Sequence, residues 1–202
     1  VVSAGATEEL RRLAELLDAP VFTTNRAKGA FPADHPLALG TSIPHPAIRE
    51  FIAKSDVLLA VGTRFAAQAT GDWKIQLPKT LIHVDLDPAE IGKCYPASMG
   101  VVGDAKKALG GILRELEGME LRRRRSPRAQ IRTMRRAVVE KRRERGAEEM
   151  KFLDILRRAL PRDTVVACDI AVGARWARIA LDMYEPRTWL FPSCSLTLGY
   201  GY

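Results

Sequence analysis

Cysteine is scarce in this chain and badly placed for pairing. Cys94, Cys168 and Cys194 are odd in number, far apart and outside any CxxC or Cys/His spacing, which argues against a disulfide framework and against a zinc site. They read as small buried apolar residues. Long apolar runs are absent too: none approaches the ~20 residues of a membrane span, and the opening residues do not resemble a signal peptide. The expectation is a cytoplasmic protein with no membrane partner. An initiator Met is lacking, and "VVSAGATEEL" enters a helix after at most a scrap of strand. The far end lacks a continuation. "SCSLTLGYGY" follows the strand-like "RTWLF" as a Gly-rich turn of the kind that opens a helix, and no helix follows. Both ends lead to the expectation of an internal piece of a longer protein.

What is present begins with charge. The formal net charge of +8 is concentrated in residues 122–146, where 12 Lys/Arg face only Glu140 and Glu144. The remainder carries a small negative balance and is ordinary. No aromatic is interleaved in the basic stretch, so weak, sequence-blind attraction to polyanions is expected there rather than specific nucleic-acid binding.

The pattern along the chain alternates. Thr7 is placed as an N-cap before an apolar stripe of Leu10, Leu13, Leu16 and Leu17, predicting a helix over 7–18. "PVFTT" (20–24) reads as a strand, 25–36 as a long loop, 46–55 as a helix. "DVLLAVG" (56–62) reads as a strand buried on both faces. "TLIHVDLDP" (80–88) is a strand handing over to a short helix with Asp87 as cap and Pro88 first, and "GVVGDAKKALGGILREL" repeats the step with Asp104 as cap. Ile131, Met134 and Val138 predict a docked helix over 128–145 with its arginines in water. After a helix near 151–160, the segments 164–170, 172–184 and 187–191 restart the alternation. The fold class is therefore α/β: a doubly wound, mostly parallel sheet in a central domain over 1–118, lacking its first strand. A basic helical linker over 119–150 and a truncated second α/β domain over 151–202 follow.

In open parallel sheets ligands sit beyond the carboxyl ends of the strands. Those ends carry Thr24 to Gly29, "GTRF" (62–65), Asp85 with Asp87, and Gly103 with Asp104. Gly62 would admit a phosphate to the backbone, Arg64 would pair with it and Asp85 would take a ribose hydroxyl. For Asp87 and Asp104, helix capping is the simpler reading.

These residues resemble a known family. "KGAFPADHPLALG", "SDVLLAVGTRF", "ATGDW", "HVDLDPAEIGK" and "GDAKKAL" look like the central domain of thiamine diphosphate-dependent enzymes of the acetolactate synthase type, and "DTVVACDIAVGARWA" with "RTWLFPSCSLTLGYGY" is similar to the start of their diphosphate-binding domain. The resemblance implies a magnesium- and thiamine diphosphate-dependent enzyme that decarboxylates a 2-oxo acid or joins the product to a second carbonyl, assembled as a homodimer or homotetramer. It places the Leu196 carbonyl, Thr197 and the Leu198 side chain beneath the cofactor, with Leu198 propping its bent conformation. Val172 and Gly173 stand where the family has a Gln-His pair near the diphosphate, leaving only backbone groups to serve. Ala66 stands where the family has an aspartate after "RF", so FAD, ADP and an empty cleft all remain open readings. The family's cofactor-protonating glutamate and its Gly-Asp-Gly metal loop have no counterpart in these residues, and the piece is not expected to catalyse anything alone. Two other readings stay open: a nucleic-acid-binding module using 122–146, and a non-catalytic nucleotide-binding domain.

Overall fold

The computed structural model describes residues 1–41, 45–122, 125–169 and 171–191. It is α/β, as expected, with parallel pairing throughout its described strands. The chain divides into two compact units, one of Val1–Ala19 with Ile43–Ser126, the other of Pro20–Ser42 with Pro127–Tyr202. In this division residues 20–42 group with the C-terminal half of the chain.

The first unit is built on three parallel strands in the order β3 (Val57–Val61), β4 (Thr80–Asp85), β5 (Met99–Val102). Helix α1 (Thr7–Leu17) packs on α4 (Ala105–Glu117), burying Leu13, Leu109 and Leu113. Thr7 is the first residue of α1 rather than its cap; Ala6 holds the cap position, without a side-chain hydrogen bond. Asp104 does cap α4, its Oδ1 accepting from Lys106 N and Lys107 N at 3.0 and 3.1 Å. Asp87 likewise accepts from Ala89 N at 2.9 Å, and Pro88 follows at the first position of a single 3-10 turn. The apolar run of β3 is less enclosed than its composition predicts. Ala60 is buried, but Val57 is 49% exposed at one end of the strand.

The second unit joins β1 (Val21–Phe22) to β2 (Ala38–Gly40), a short strand not anticipated inside "PLALG", and β6 (Val166–Ala167) to β7 (Trp189–Leu190). Helices α5 (Arg128–Arg145), α6 (Ala147–Ala159) and α7 (Val172–Ala180) pack in succession, and α5 also packs on β2. The predicted stripe is what docks: Ile131, Met134 and Val138 are 1%, 5% and 6% exposed. The arginines divide. Arg132, Arg136, Arg143 and Arg145 face water, whereas Arg135 and Arg142 are half-buried, because they flank the docked stripe. The cysteines also depart from expectation: Cys94 and Cys168 are free thiols, only partly buried. Cys194 lies outside the described residues.

Candidate functional site

In the first unit one histidine of β4 ties the turn after β3 to the loop after β4. His83 is 1% exposed, and its ring nitrogens are both engaged: Nε2 donates to Thr63 O at 3.0 Å and Nδ1 accepts from Gly92 N at 3.4 Å. Those partners fix which nitrogen carries the proton. The turn it supports runs through Gly62 (φ +62°), Thr63, Arg64 and Phe65 (φ +48°). Phe65 stacks edge-on against His83 and Tyr95, at 5.3 and 5.1 Å between ring centres, and its carbonyl accepts from Trp73 Nε1 at 2.8 Å. A buried aromatic in the left-handed region needs such over-determination, since the backbone alone disfavours it. The result is that Arg64 projects into solvent from a braced turn.

Replacing His83 with Leu keeps most of the volume and removes both hydrogen bonds, leaving a carbonyl and an amide with no partner in a buried setting. Stability of this unit is expected to fall by about 2–4 kcal/mol, read by chemical denaturation.

The predicted residues are distributed around that turn with differing freedom. Asp85, half-buried at the end of β4, accepts from Asp87 N at 3.0 Å through Oδ1. Asp104 is committed to the α4 cap. A Cβ built on Gly62 would make only an ordinary contact, 3.5 Å from the Val1 nitrogen, so the positive φ rather than crowding is what favours glycine there.

In the second unit, Val172 and Gly173 form the first turn of α7. The cap position is Ala171, in extended conformation and with no side-chain cap hydrogen bond of its own. Val172 is 69% exposed and a Cβ on Gly173 would meet nothing within 4 Å. Leu196, Thr197 and Leu198 lie outside the described residues.

A second cluster in this unit was not anticipated. Lys28 is 6% exposed; its Nζ donates to Ala177 O at 2.7 Å and Leu181 O at 2.6 Å, at the C-terminal end of α7, and lies 4.5 Å from the centre of the Trp189 ring. A cation there meets the negative end of the helix and an aromatic face at once. Burial pushes its ammonium down to about 7, against the opposing pull of Asp182. Burial also drives Arg142 down to about 10 and Asp182 up, although Asp182 keeps part of its surface in water. The only sequence signal was a lysine set between loop residues and Gly29, and a loop lysine is ordinarily solvated.

With the sheet, the braced turn and the open α7 start in place, comparison with known proteins is informative. Residues 1–112 match the family model described as thiamine pyrophosphate enzyme, central domain. The chain is 33% identical to a probable acetolactate synthase large subunit from Methanocaldococcus jannaschii, aligned over 100% of this chain and 36% of that protein. It is 36% identical to a probable 2-ketoarginine decarboxylase from Pseudomonas aeruginosa, over 97% of this chain and 35% of the other. An acetolactate synthase large subunit from Corynebacterium glutamicum is 31% identical, over 100% and 33%. The chain belongs to the thiamine pyrophosphate enzyme family, and it spans about a third of the length of these relatives.

Proposed function

We propose that the complete protein is a thiamine diphosphate- and magnesium-dependent enzyme acting on 2-oxo acids, by decarboxylation or carboligation, and that this chain is a non-catalytic part of it. The observation that carries the reading is that one continuous chain aligns along nearly its whole length with both acetolactate synthases and a 2-ketoarginine decarboxylase. When bound, the cofactor supplies an electron sink for the carbon that loses carbon dioxide. The residues of this chain bind and orient. The α7 start at Val172 and Gly173 offers backbone donors to the diphosphate, and the resemblance gives the Leu196 carbonyl, Thr197 and the Leu198 side chain the other end of the cofactor. In the first unit, Gly62, Arg64 and Asp85 are assigned to an adenine nucleotide, as FAD or ADP. Asp104 is withdrawn from that set because its near oxygen already serves two helix amides. Assembly as a homodimer or homotetramer and a cytoplasmic location complete the proposal; among the described residues no helix is long and apolar enough to cross a membrane.

The test is made in the complete protein. Carbon dioxide release from a panel of 2-oxo acids, dependent on thiamine diphosphate and magnesium, is expected; no release from any of them would defeat the proposal. Leu198→Ala should lower kcat by about tenfold or more with little loss of cofactor affinity, because removing a prop acts on the reactive geometry rather than on the anchor. Leu198→Met, which fills similar volume, should retain most turnover. Full turnover in Leu198→Ala would make that residue ordinary core.

The basic face of α5 is assigned no specific nucleic-acid partner. Weak binding to any oligonucleotide, abolished by moderate salt, is the expected result in a filter or anisotropy assay. Sequence-selective binding that survives salt would reinstate that function.

A further inference from the structure

One aromatic side chain of the first unit is held out of the core by a strained backbone. Gly71, Asp72 and Trp73 are three successive residues in the left-handed region, with φ of +60°, +56° and +58°. Glycine adopts that region freely, but an aspartate and above all a tryptophan do so against a steric penalty. Hydrogen bonds fix the conformation from several sides. Asp72 N donates to Ala67 O at 2.9 Å, and Trp73 N donates to Thr70 Oγ1 at 3.1 Å. Thr70 is itself buried, its hydroxyl donating to Ala66 O at 3.1 Å. The indole is pinned as well, since its Nε1 donates to Phe65 O at 2.8 Å. Yet Trp73 remains 52% exposed, and among the described residues no aromatic ring or cation lies against its face. An aromatic recruited for packing would be buried, as the neighbouring Phe65 is. Strain that ends in a fixed, half-exposed indole has no packing rationale, and strain of this kind gathers at ligand sites.

We propose that Trp73 is the stacking platform for the base of a nucleotide, in the site given to Gly62, Arg64 and Asp85; the inference rests on that nucleotide reading and adds the residue that takes the ring. Two observations tie the indole to the site. The carbonyl that accepts from Trp73 Nε1 belongs to Phe65, the residue next to Arg64, so platform and cation are carried on one braced turn. Arg64 is exposed, and among the described residues its side chain has no acceptor. A ring platform beside an unpaired guanidinium suits a ligand that joins a planar base to phosphate. Stacking uses the face of the ring and not its edge groups, so Trp73 contributes affinity for a base without choosing among bases. The phosphate supplies the counter-charge that Arg64 lacks. Because both the backbone and the indole N–H of Trp73 are fixed before the ligand arrives, little side-chain freedom is lost on stacking.

The experiment uses the full chain with ADP, the portion that ADP and FAD share, and with ribose 5-phosphate, which lacks a base, following saturable binding by NMR titration at fixed ionic strength. ADP is expected to bind saturably, and Trp73→Leu should weaken it about tenfold or more, the size of a lost base–aromatic stack. Trp73→Phe loses the same hydrogen bond to Phe65 O but keeps a ring, and should stay within about threefold of the parent. Ribose 5-phosphate should bind the parent and Trp73→Leu alike, whereas Arg64→Gln should weaken both ligands. Equal loss of ADP in Trp73→Leu and Trp73→Phe would make Trp73 a brace of the turn and overturn the proposal, as would ADP affinity unchanged in Trp73→Leu. In either case weakening by Arg64→Gln would leave the nucleotide site itself standing. No saturable ADP binding by the parent would remove the site and the platform together.

Discussion

Gly29→Ala is expected to destabilise the second unit by about 3–5 kcal/mol, enough to unfold it if its stability is ordinary. Two costs combine. Gly29 has φ +81°, where a side chain is disfavoured by roughly 1–2 kcal/mol. A Cβ at that position would also overlap the backbone carbonyl of Glu185, whose oxygen accepts from Thr188 Oγ1 at 2.7 Å and so has little freedom to retreat. Backbone against backbone cannot be relieved by a rotamer change, which puts the clash at or above the usual cost of overpacking. Denaturant titration of the chain should show loss of the transition reporting Trp189, and hydrogen exchange should accelerate in α7 and β7 while β3 to β5 keep their protection. A shift under about 1 kcal/mol would mean that the Gly29 loop does not sit against residue 185.

Lys28 should make the same unit depend on pH in an unusual direction. Its folded pKa of about 7 lies below the ordinary lysine value of 10.5, so between those two values the unfolded chain binds a proton that the folded chain does not. Stability therefore rises as pH is raised from about 7 towards 10.5, and is lowest and flat with respect to this group below 7. Burial is the main cause of the shift; of the groups around the ammonium, Arg142 and Arg178 add to it, whereas Asp182 and, less strongly, Cys168 oppose it by favouring the charge. Lys28→Met removes the titration and leaves the Ala177 and Leu181 carbonyls without the donor they now share. The variant should lose the alkaline rise. At pH 10 it should be less stable than the parent by about 1–2 kcal/mol, the cost of losing the buried donor to Leu181 O, since Ala177 O still accepts from Leu181 N at 3.0 Å. Equilibrium unfolding at intervals from pH 6 to 10 measures both effects. An identical pH profile in parent and variant would place the Lys28 ammonium in water.

Legibility followed locality. Asp87 and Asp104 were recognisable as caps because the cap, the proline and the following amides lie within a few residues of one another. The stripe of Ile131, Met134 and Val138 was recognisable because helical spacing places those residues on one face whatever they dock against. Thr7 misled by one residue: Ala6 takes the cap position although it has no side-chain acceptor, a reminder that chain entry can override capping preference. The strand β2 was missed because three residues inside a Pro- and Gly-bounded loop carry no periodicity of their own, and only pairing with β1 makes them a strand.

By itself the sequence determined the α/β class, the parallel pairing implied by its alternating strands and helices, the carboxyl-end turns carrying Gly62, Arg64 and Asp85, and the docked face of α5. These depend on hydrogen bonds and side-chain periods within a single element or its immediate successor. Only the tertiary structure decided that residues 20–42 join the C-terminal half, that His83 braces the Arg64 turn from 20 residues away, and that Lys28 is buried against a helix end nearly 150 residues on. Arg135 and Arg142 were likewise assigned to a cavity wall by packing rather than by spacing. The physical reason is common to all four: burial and partner choice are set by which distant surfaces close on one another, and a residue's own sequence neighbourhood contains no record of that closure.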